Sequence, residues 1–260
     1  MSLRDVGWVW EGQGIDPGVP PSMYGLGQGT RYFGLSRANF LFHTTDEHTL
    51  SLMSDLDEVT CSLLKYGWEW DENNRPGLTT LGDPDSIRAE GEHIARLSKQ
   101  FANITGVFGD DLMGILKRNA WGPEKLAEVL APMREANPAL KVWSVVYTHE
   151  FEEEDFWALV YPHVDIVNLW VWESKNLVDL PGYIDQCREL FPDKPINMGI
   201  YLRDYPQRAP VPVDAVVRQM ELTAEYIDKG KLDGFSILGA ITIETQREQA
   251  EAIRDFIAAN

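Results

Sequence analysis

Four acidic side chains stand where apolar, strand-like runs end, and carboxylates in such positions could carry out acid–base chemistry. Asp110 and Asp111 follow the run ITGVFG, Glu150 follows KVWSVVYTH, and Glu173 follows VDIVNLWVW. Acidic residues are poor strand formers and costly to bury, so their position at one end of successive strands predicts a polar mouth of a sheet. The competing interpretation is that they cap the following helices, because Asp and Glu are favoured at helix N-termini.

Aromatic and hydrogen-bonding side chains accompany these acids. Glycoside hydrolysis needs one carboxylic acid to protonate the leaving oxygen and one carboxylate to act as nucleophile or base. Aromatic faces supply large apolar contact surfaces on which a sugar ring can stack, and a tryptophan wall raises the pKa of a neighbouring acid by excluding water. The residues predicted to bind a substrate in this way are His43, Trp68, Trp70, Tyr147, Trp170, Trp172, Tyr201 and Arg203.

Divalent-metal chemistry is an alternative use of the same acids. Sugar isomerases built on barrels hold metal ions with Glu, Asp and His side chains from strand ends, and His43 and His149 would be the histidine ligands here. The sequence contains neither HxH nor HExxH, and a single histidine in a barrel is more often hydrogen-bonded within the core. We therefore predict a site that uses no metal ion and no other cofactor.

Two further kinds of chemistry have little support. The sequence has no GxSxG motif, and neither Cys61 nor Cys187 stands beside a histidine, which argues against a nucleophilic serine or cysteine. The segment GLGQG at 25–29 has the composition of a phosphate-binding loop. It is expected to lack the strand directly before it and the helix directly after it that such a loop requires.

The elements that position the acids are predicted from apolar runs that alternate with helical patterns. Such alternation is typical of βα units and a parallel sheet. We predict one α/β domain over residues 1–260, a single (β/α)8 TIM barrel, with an open doubly wound sheet as the alternative. The eight predicted strands lie at 7–12, 39–43, 58–66, 104–110, 141–150, 164–174, 195–204 and 232–240. Later helices are predicted at about 123–136, 152–160, 181–191, 213–228 and 244–258.

Details of the connections follow from turn and helix chemistry. Asp85 is the predicted N-cap of the helix after the third strand, and Pro132 is expected to kink or interrupt its helix. Long loops after strands 1 and 3, at 11–37 and 66–84, are expected to overhang the barrel mouth. The second of these loops carries Trp68 and Trp70 to the mouth.

Side-chain alternation in the sixth strand predicts which residues face the barrel interior. Asn168, Trp170 and Trp172 share one face, whereas the other face is aliphatic and should meet the helices. The same alternation in the seventh strand places Asn197, Tyr201 and Arg203 inward. Glu173 falls on the outward face by this count, but at the last strand position, where the chain can turn its side chain over the mouth.

Alternation is ambiguous for the two aspartates after the fourth strand. Asp110 and Asp111 fall on opposite faces, so one of them must point toward the mouth. We favour Asp110, with Asp111 either orienting it or beginning the following turn.

Charge limits the partners of the chain. The formal net charge is −18 and the isoelectric point is near 4.6, which disfavours nucleic acid and anionic membranes, because both bind clustered Lys and Arg. No run of 18 apolar residues is present for a membrane span, and the opening MSLRDVG has no hydrophobic signal core, which leaves the compartment open. The expected partner is a neutral or cationic small molecule or oligosaccharide.

With strand-end acids and tryptophans in ITGVFGDD, VVYTHE and NLWVWES, the chain resembles the broad superfamily of TIM-barrel glycoside hydrolases. The resemblance covers the architecture, because neither a DxxDxDxE run of the chitinase type nor a strand-end Asn-Glu-Pro is present. It implies a saccharide ligand that the protein hydrolyses. In this interpretation Asp110 is general acid or nucleophile, Asp111 its partner, Glu173 the opposing carboxylate and Glu150 the reserve candidate. A non-catalytic carbohydrate-binding barrel is the rival hypothesis.

Overall fold

A computed structural model describes residues 2–11, 22–70 and 76–260, and for 65–70 and 76–81 it describes the backbone alone. The side chains of Trp68 and Trp70, predicted to bind substrate, therefore lie outside the described residues.

Eight parallel strands close into a barrel, as the alternating pattern predicts. Their order around the barrel is β1-β12-β9-β8-β7-β6-β3-β2, and the remaining strands form two small antiparallel pairs, β4-β5 and β10-β11. The (β/α)8 prediction is thereby confirmed. In chain order the strands are β1 (Gly7–Trp10), β2 (Arg37–Phe40), β3 (Glu58–Ser62), β4 (Lys65–Trp70), β5 (Pro76–Leu81), β6 (Ile104–Gly109), β7 (Lys141–Tyr147), β8 (Ile166–Trp170), β9 (Ile196–Tyr201), β10 (Arg203–Asp204), β11 (Ala209–Pro210) and β12 (Gly234–Leu238).

Helices follow the barrel strands and cover their outer faces. Their apolar stripes, such as Ile87, Ile94 and Leu97 in α3, are buried against the sheet. In the described part of the chain no helix is both long enough and apolar enough to cross a lipid bilayer. The α-helices are α1 (Leu26–Tyr32), α2 (Glu47–Ser51), α3 (Pro84–Leu97), α4 (Leu112–Arg118), α5 (Pro123–Ala136), α6 (Glu154–Val160), α7 (Leu180–Leu190), α8 (Val213–Asp228) and α9 (Arg247–Ala259).

Two helix predictions need correction. The N-cap of α3 is Asp83, whose carboxylate accepts a hydrogen bond from the Ser86 backbone N–H, because Pro84 takes the first helical position and Asp85 lies inside the first turn. Pro132 does not interrupt α5, which continues to Ala136. The buried apolar side chains of α5 hold it against the barrel on both sides of the proline, and this packing outweighs the lost backbone hydrogen bond.

The two predicted long loops contain regular structure. Residues 65–70 and 76–81 form the antiparallel pair β4-β5, in which Lys65 pairs with Leu81 and Trp70 with Pro76. The glycine-rich segment at 25–29 is not a loop, because it begins α1. Gly29 allows that helix to approach Ala240, since an added Cβ would lie 2.6 Å from the Ala240 Cβ. Helix packing therefore explains this glycine.

A line of hydrogen bonds crosses the barrel interior. The Asn168 side chain donates to the Ser236 hydroxyl (2.8 Å), which in turn donates to Asn39 (3.3 Å), and Asn39 donates to Thr60 (2.8 Å). Asn168 and Ser236 come from β8 and β12, which are not neighbours in the sheet, so these groups meet inside the barrel. The inward assignment of Asn168 is confirmed.

The interior next to the mouth is filled by an indole. Trp170, the last residue of β8, is 2% exposed and lies over Gly199 of β9, where any Cβ would overlap the indole ring. Tyr201, two residues further along β9, packs on the same indole with ring centroids 4.5 Å apart. The predicted inward face of β9 is therefore the observed one, and Trp170 closes the bottom of the mouth.

Candidate functional site

Two connected hollows lie at the carboxyl ends of the barrel strands. The inner cavity has about 550 Å³ of empty space, including space open to solvent, and the outer cleft adjoins it. Asp111, Tyr147 and Trp172 belong to both walls. The inner cavity is lined by Trp10, Phe42, Asp110, Asp111, Val145, Tyr147, Trp170, Trp172, Tyr201, Tyr205 and Leu238. The outer cleft is lined by Asp111, Tyr147, Thr148, His149, Trp172, Glu173 and Asn176.

Both aspartates of the GDD segment line the inner cavity, although alternation would send one of them outward. The reason is local backbone conformation. β6 ends at Gly109, and Asp111 is left-handed, with φ 47° and ψ 37°, a conformation that Asp adopts more readily than most residues. Asp111 occupies the N-cap position of α4, yet its side chain makes no capping hydrogen bond. Its carboxyl group is therefore available to the cavity.

The carboxyl group of Asp111 is partly desolvated. Asp111 keeps an exposed surface, yet desolvation by the neighbouring protein raises the pKa of its carboxyl group. A hydrogen bond from the Tyr147 hydroxyl and the nearby Arg118 and His149 oppose the rise without cancelling it. An acid that must hold its proton until it meets a substrate benefits from such a raised pKa.

Tyr147 and Tyr201 form a hydrogen-bonded pair behind Asp111. The hydroxyl of Tyr147 is hydrogen-bonded to both Asp111 and Tyr201, and burial raises the pKa of both phenols well above the usual value. The ring of Tyr147 stacks on His149, with centroids 5.2 Å apart and planes 15° apart. Tyr147, predicted as a substrate contact, therefore also fixes the position of Asp111.

The mouth carries an aromatic wall. Trp172 is 37% exposed and lies parallel to Tyr205, with centroids 5.9 Å apart and planes 9° apart. The rings of Tyr147 and Tyr201 meet Trp172 edge-on at 5.8 and 5.9 Å. These contacts hold the indole in one orientation and leave part of its surface to solvent, so Trp172 can stack on a ligand. Trp170, by contrast, is buried and forms the floor.

Glu173 lines the outer cleft together with Asp111. Its carboxylate is ion-paired with Lys175 at 2.6 Å, and its side chain is about one-third exposed. It stands at the N-cap position of a short 3-10 helix, Ser174–Asp179, but makes no capping bond with its side chain. The structure thus brings Asp110, Asp111 and Glu173 to connected walls of one mouth.

Glu150 and Arg203 are not brought to these walls. The Glu150 carboxylate accepts a hydrogen bond from the Tyr147 backbone N–H (2.9 Å) and closes a short 3-10 helix, so the capping interpretation holds for this acid. Burial raises its pKa to about 7. Arg203 is buried in β10, where it pairs with Pro210 of β11, because the chain forms a small hairpin after Tyr201 instead of continuing the barrel strand.

His43 lies on the other side of the mouth, in a cluster that we name the β1–β2 corner, comprising Glu11, Leu41, Phe42 and His43. The His43 imidazole contacts Glu11 at 2.9 Å, and the other Glu11 oxygen accepts the backbone N–H groups of Leu41 and Phe42, each at 2.9 Å. The hydrogen bond to Glu11 raises the pKa of His43, against the opposing effect of burial. His43 borders a different hollow, between β2 and the helices α1 and α2.

No metal centre is apparent in the part of the chain that the structure describes. Within those residues, no group of three or more His, Cys, Asp and Glu side chains is arranged to hold an ion. His43 and His149, the histidines considered for such a site, lie in different hollows.

Comparison with known proteins shows the fold. The sequence matches no known family model and no curated protein. A family 18 chitinase from Crocus vernus superposes with a TM-score of 0.57 at 13% identity, over 98% of this chain and 99% of the chitinase. A GH18 chitinase from Cycas revoluta, solved with (GlcNAc)4, gives a TM-score of 0.54 at 11% identity, over 96% and 99% of the two chains. A β-glucuronidase from Bacteroides uniformis gives 0.56 at 11% identity, over 92% of this chain and 30% of that one.

The chain shares the (β/α)8 barrel fold of these solved structures. Sequence reasoning missed some residues of the barrel mouth. Trp10 could have been found as the aromatic that ends β1 directly before an acid, and Tyr205 as the aromatic that follows β10. Phe42 and Leu238 carried no signal, because apolar side chains at a mouth look like core residues. Glu11 was missed because its role depends on backbone groups of the neighbouring strand.

Proposed function

We propose that this protein is a glycoside hydrolase that cleaves its substrate where the inner cavity meets the outer cleft. One observation carries the proposal. Asp111, with its raised pKa and its hydrogen bond to Tyr147, lines the same cleft as the Glu173 carboxylate, beside the partly exposed indole of Trp172. A proton donor, a second carboxyl group and an aromatic stacking surface are the groups that glycosidic cleavage uses.

The proposed roles follow from the surroundings of each acid. Asp111 donates its proton to the glycosidic oxygen, and the bond from the anomeric carbon to that oxygen breaks. Glu173 either removes a proton from the attacking water or attacks the anomeric carbon and is released by water. Asp110, next to Asp111 on the inner wall, stabilises the positive charge that develops on the sugar ring. This assignment exchanges the roles of the two aspartates in the sequence-based hypothesis, because desolvation favours Asp111 as the acid.

The aromatic wall supplies orientation. Trp172 would stack on one face of the sugar bound at the junction, and its contacts with Tyr205, Tyr147 and Tyr201 keep the indole from rotating away. Tyr147 holds the Asp111 carboxyl group toward the same point. A substrate held between these groups meets the acid at a fixed distance, which is the main advantage of an enclosed site.

The test is a hydrolysis screen with aryl glycosides and oligosaccharides at several pH values, with and without a chelator. Asp111→Asn keeps the shape and tolerates the left-handed backbone, and Glu173→Gln is equally conservative. Each substitution should lower kcat/KM by roughly a hundredfold or more, the scale of general acid–base catalysis. Asp193→Asn removes the same charge at an exposed position and serves as the matched control.

Retained turnover in Asp111→Asn would contradict the role assignment. Loss of activity in chelator, with recovery on adding a divalent ion, would favour the metal-dependent sugar isomerase instead.

The ion pair of Glu173 with Lys175 favours a second candidate, a carbohydrate-binding barrel without catalysis. A carboxylate engaged by a lysine at 2.6 Å is less free to act as nucleophile or base. In that case oligosaccharides would bind and Trp172→Ala would weaken binding, yet no aryl glycoside would be hydrolysed. The screen therefore separates the two functions.

A further inference from the structure

The inner cavity and the outer cleft are surrounded by different strands. The outer cleft is lined by residues at the ends of β6, β7 and β8, among them Asp111, His149 and Glu173. In the closed barrel β1 lies opposite β7, four strands away in either direction. Trp10 at the end of β1 and Phe42 just beyond β2 line the inner cavity on that opposite side. The inner cavity is therefore central in the barrel mouth, and the outer cleft extends from it to one side.

The floor of the inner cavity is made of packed aromatic rings. Trp170 and Trp10 are both buried, and their rings meet edge-on with centroids 5.3 Å apart. Trp10 also meets the buried ring of Phe108 edge-on, at 4.5 Å. Because protein interiors are close-packed, these rings cannot move aside for a longer ligand without losing their contacts. Side chains outside the described residues can narrow this cavity, but they cannot deepen it.

The wall opposite the outer cleft is held in place as well. The Glu11 carboxylate accepts the backbone N–H of Phe42 at 2.9 Å, which fixes the chain beyond β2. Leu238 ends β12, the strand next to β1, and lines the same side of the cavity. A ligand that enters the inner cavity from the outer cleft therefore meets apolar side chains ahead of it and aromatic rings below it. Its leading end stops there.

The outer cleft adds neutral hydrogen-bonding groups to the acids on its walls. Thr148, His149 and Asn176 line it, and all three retain exposed surface. The His149 ring stacks on Tyr147 with centroids 5.2 Å apart, and burial lowers its pKa, so the imidazole is neutral at pH 7. Hydroxyl, amide and imidazole groups can each donate and accept hydrogen bonds, as sugar hydroxyls do. The cleft therefore suits the polar chain of a saccharide that continues into solvent.

These shapes decide which part of a saccharide each hollow can hold. We propose, on the basis of the glycosidase function proposed above, that the inner cavity receives the terminal, non-reducing sugar of a chain. The rest of the chain lies in the outer cleft, so that hydrolysis removes the terminal sugar. Asp111, Tyr147 and Trp172 line both hollows and therefore stand at the bond between the last two sugars.

The orientation of the chain follows from the reaction. The sugar ring that gains positive charge benefits from a site that excludes water, which the inner cavity provides better than the exposed cleft. The bond from its anomeric carbon to the glycosidic oxygen breaks, and this oxygen takes the proton of Asp111 and leaves with the shortened chain. Water supplies the hydroxyl group of the released sugar, and its remaining proton replaces the one that Asp111 gave. Cleavage inside a chain would instead require the inner cavity to continue into a second open cleft.

The experiment compares saccharides that are blocked at one end or the other. The probes are malto-, cello-, manno- and chito-oligosaccharides, each unmodified, with a benzylidene acetal on the non-reducing sugar, or with an aminobenzamide label at the reducing end. Calorimetric titration of Glu173→Gln, which slows turnover in the proposed mechanism, measures their affinities. For at least one oligosaccharide we expect the benzylidene group to weaken binding by about tenfold or more, because it overlaps a fixed wall. The reducing-end label should change the affinity by less than about twofold, because it lies in the open cleft.

A further variant tests whether the cavity wall causes this discrimination. Phe42→Ala, added to Glu173→Gln, removes a ring from the wall opposite the outer cleft and should reduce the discrimination to less than about threefold. Phe256→Ala, a half-buried position in α9 that lines neither hollow, is the matched control and should leave it intact. Equal binding of the two blocked forms, tighter binding of the form blocked at the non-reducing end, no binding of any of these oligosaccharides, or unchanged discrimination in a folded Phe42→Ala variant would each overturn the proposal.

The first products of digestion separate this inference from the proposed function. Wild-type protein is incubated with each unmodified oligosaccharide, and the products are resolved by length. A monosaccharide and a chain one unit shorter as the first products would support both proposals. If binding is selective for the chain end but nothing is cleaved, the hydrolase proposal fails and recognition of the chain end stands. If internal bonds are cleaved first, the hydrolase proposal stands and the chain-end inference fails.

Discussion

Two sides of the barrel mouth use the same kind of residue in opposite ways. In the β1–β2 corner, Glu11 follows a strand, is 4% exposed, and accepts two backbone N–H groups and one imidazole contact. At the inner cavity, Asp111 also follows a strand, but the hydrogen bond that lowers its pKa comes from the phenol of Tyr147. Both acids stand at carboxyl ends of barrel strands, yet one is built into the backbone and the other borders open space.

The hydrogen-bond donors of Glu11 and Asp111 distinguish a structural acid from one that can react. Backbone N–H groups are fixed donors, so a carboxylate that accepts several of them is held immobile as part of the fold. A carboxylate held by a neutral hydroxyl can exchange its proton with a ligand. Glu150 lies between the two cases, because it accepts one backbone N–H and has a pKa raised to about 7.

The largest change in the free energy of unfolding is expected when Glu11 is replaced. Glu11→Ala leaves the N–H groups of Leu41 and Phe42 buried without an acceptor, and we expect it to lower the free energy of unfolding by about 3 kcal/mol. Asp111→Asn should change it by less than about 0.5 kcal/mol. Urea unfolding measures the free energy of unfolding of both variants. If Glu11→Ala and Asp111→Asn lose equal stability, the two acids do not differ in their structural role.

We expect the ionisation of Glu150 to make the stability of the protein depend on pH. Its pKa in the folded protein, about 7, lies above the ordinary value of 4.5, so the folded state binds more protons between these values. Stability contributed by this group is present below pH 4.5 and is lost as pH rises toward 7. Glu150→Gln cannot ionise at this position and should not show this decline. The free energy of unfolding of the variant, relative to that of wild type, should therefore rise by roughly 2 kcal/mol between pH 4.5 and pH 7.

Urea unfolding at intervals between pH 4 and pH 8 measures the Glu150 effect, with Glu152→Gln, at an exposed position, as the control. A constant difference between Glu150→Gln and wild type would show that Glu150 titrates normally.

The variant Tyr147→Phe tests whether Asp111 acts as the general acid. The Tyr147 hydroxyl lowers the pKa of Asp111, so its removal should raise that pKa further. If Asp111 is the general acid, its protonated form then persists to higher pH, and the alkaline limb of the kcat/KM profile should move to higher pH. A shift of the acidic limb to higher pH, with the alkaline limb unchanged, would instead mean that the ionised form of Asp111 is the active one.

The smallest effect concerns His43. The hydrogen bond to Glu11 raises its pKa above 6.5, so the stability it contributes is fully present below that value and is lost as pH rises through the folded pKa. The side chain is 71% exposed and solvent screens the pair, so the effect is small. In thermal unfolding, the advantage of wild type over His43→Gln should shrink between pH 6 and pH 8, and a growing advantage would refute the pairing.

The barrel was predictable because eight apolar runs with intervening helical patterns leave few other topologies. Alternation also placed Asn168 and Tyr201 correctly, since it depends only on strand geometry. It failed at Asp111, where the chain leaves the strand in a left-handed conformation, and at Arg203, where a second small hairpin begins. Strand-end acids were predictable as a set, but the partners that separate Glu150 from Asp111 come from distant segments that no local pattern records.

The contact between Gly199 and Trp170 limits how deeply a ligand can enter the barrel mouth. Because Gly199 has no side chain, the Trp170 indole can lie directly over it, and the position of this ring sets the floor of the mouth. Any replacement at this position would push the ring toward solvent and shorten the hollow. A change at this one position would therefore alter how deeply a ligand can enter while leaving every acid in place.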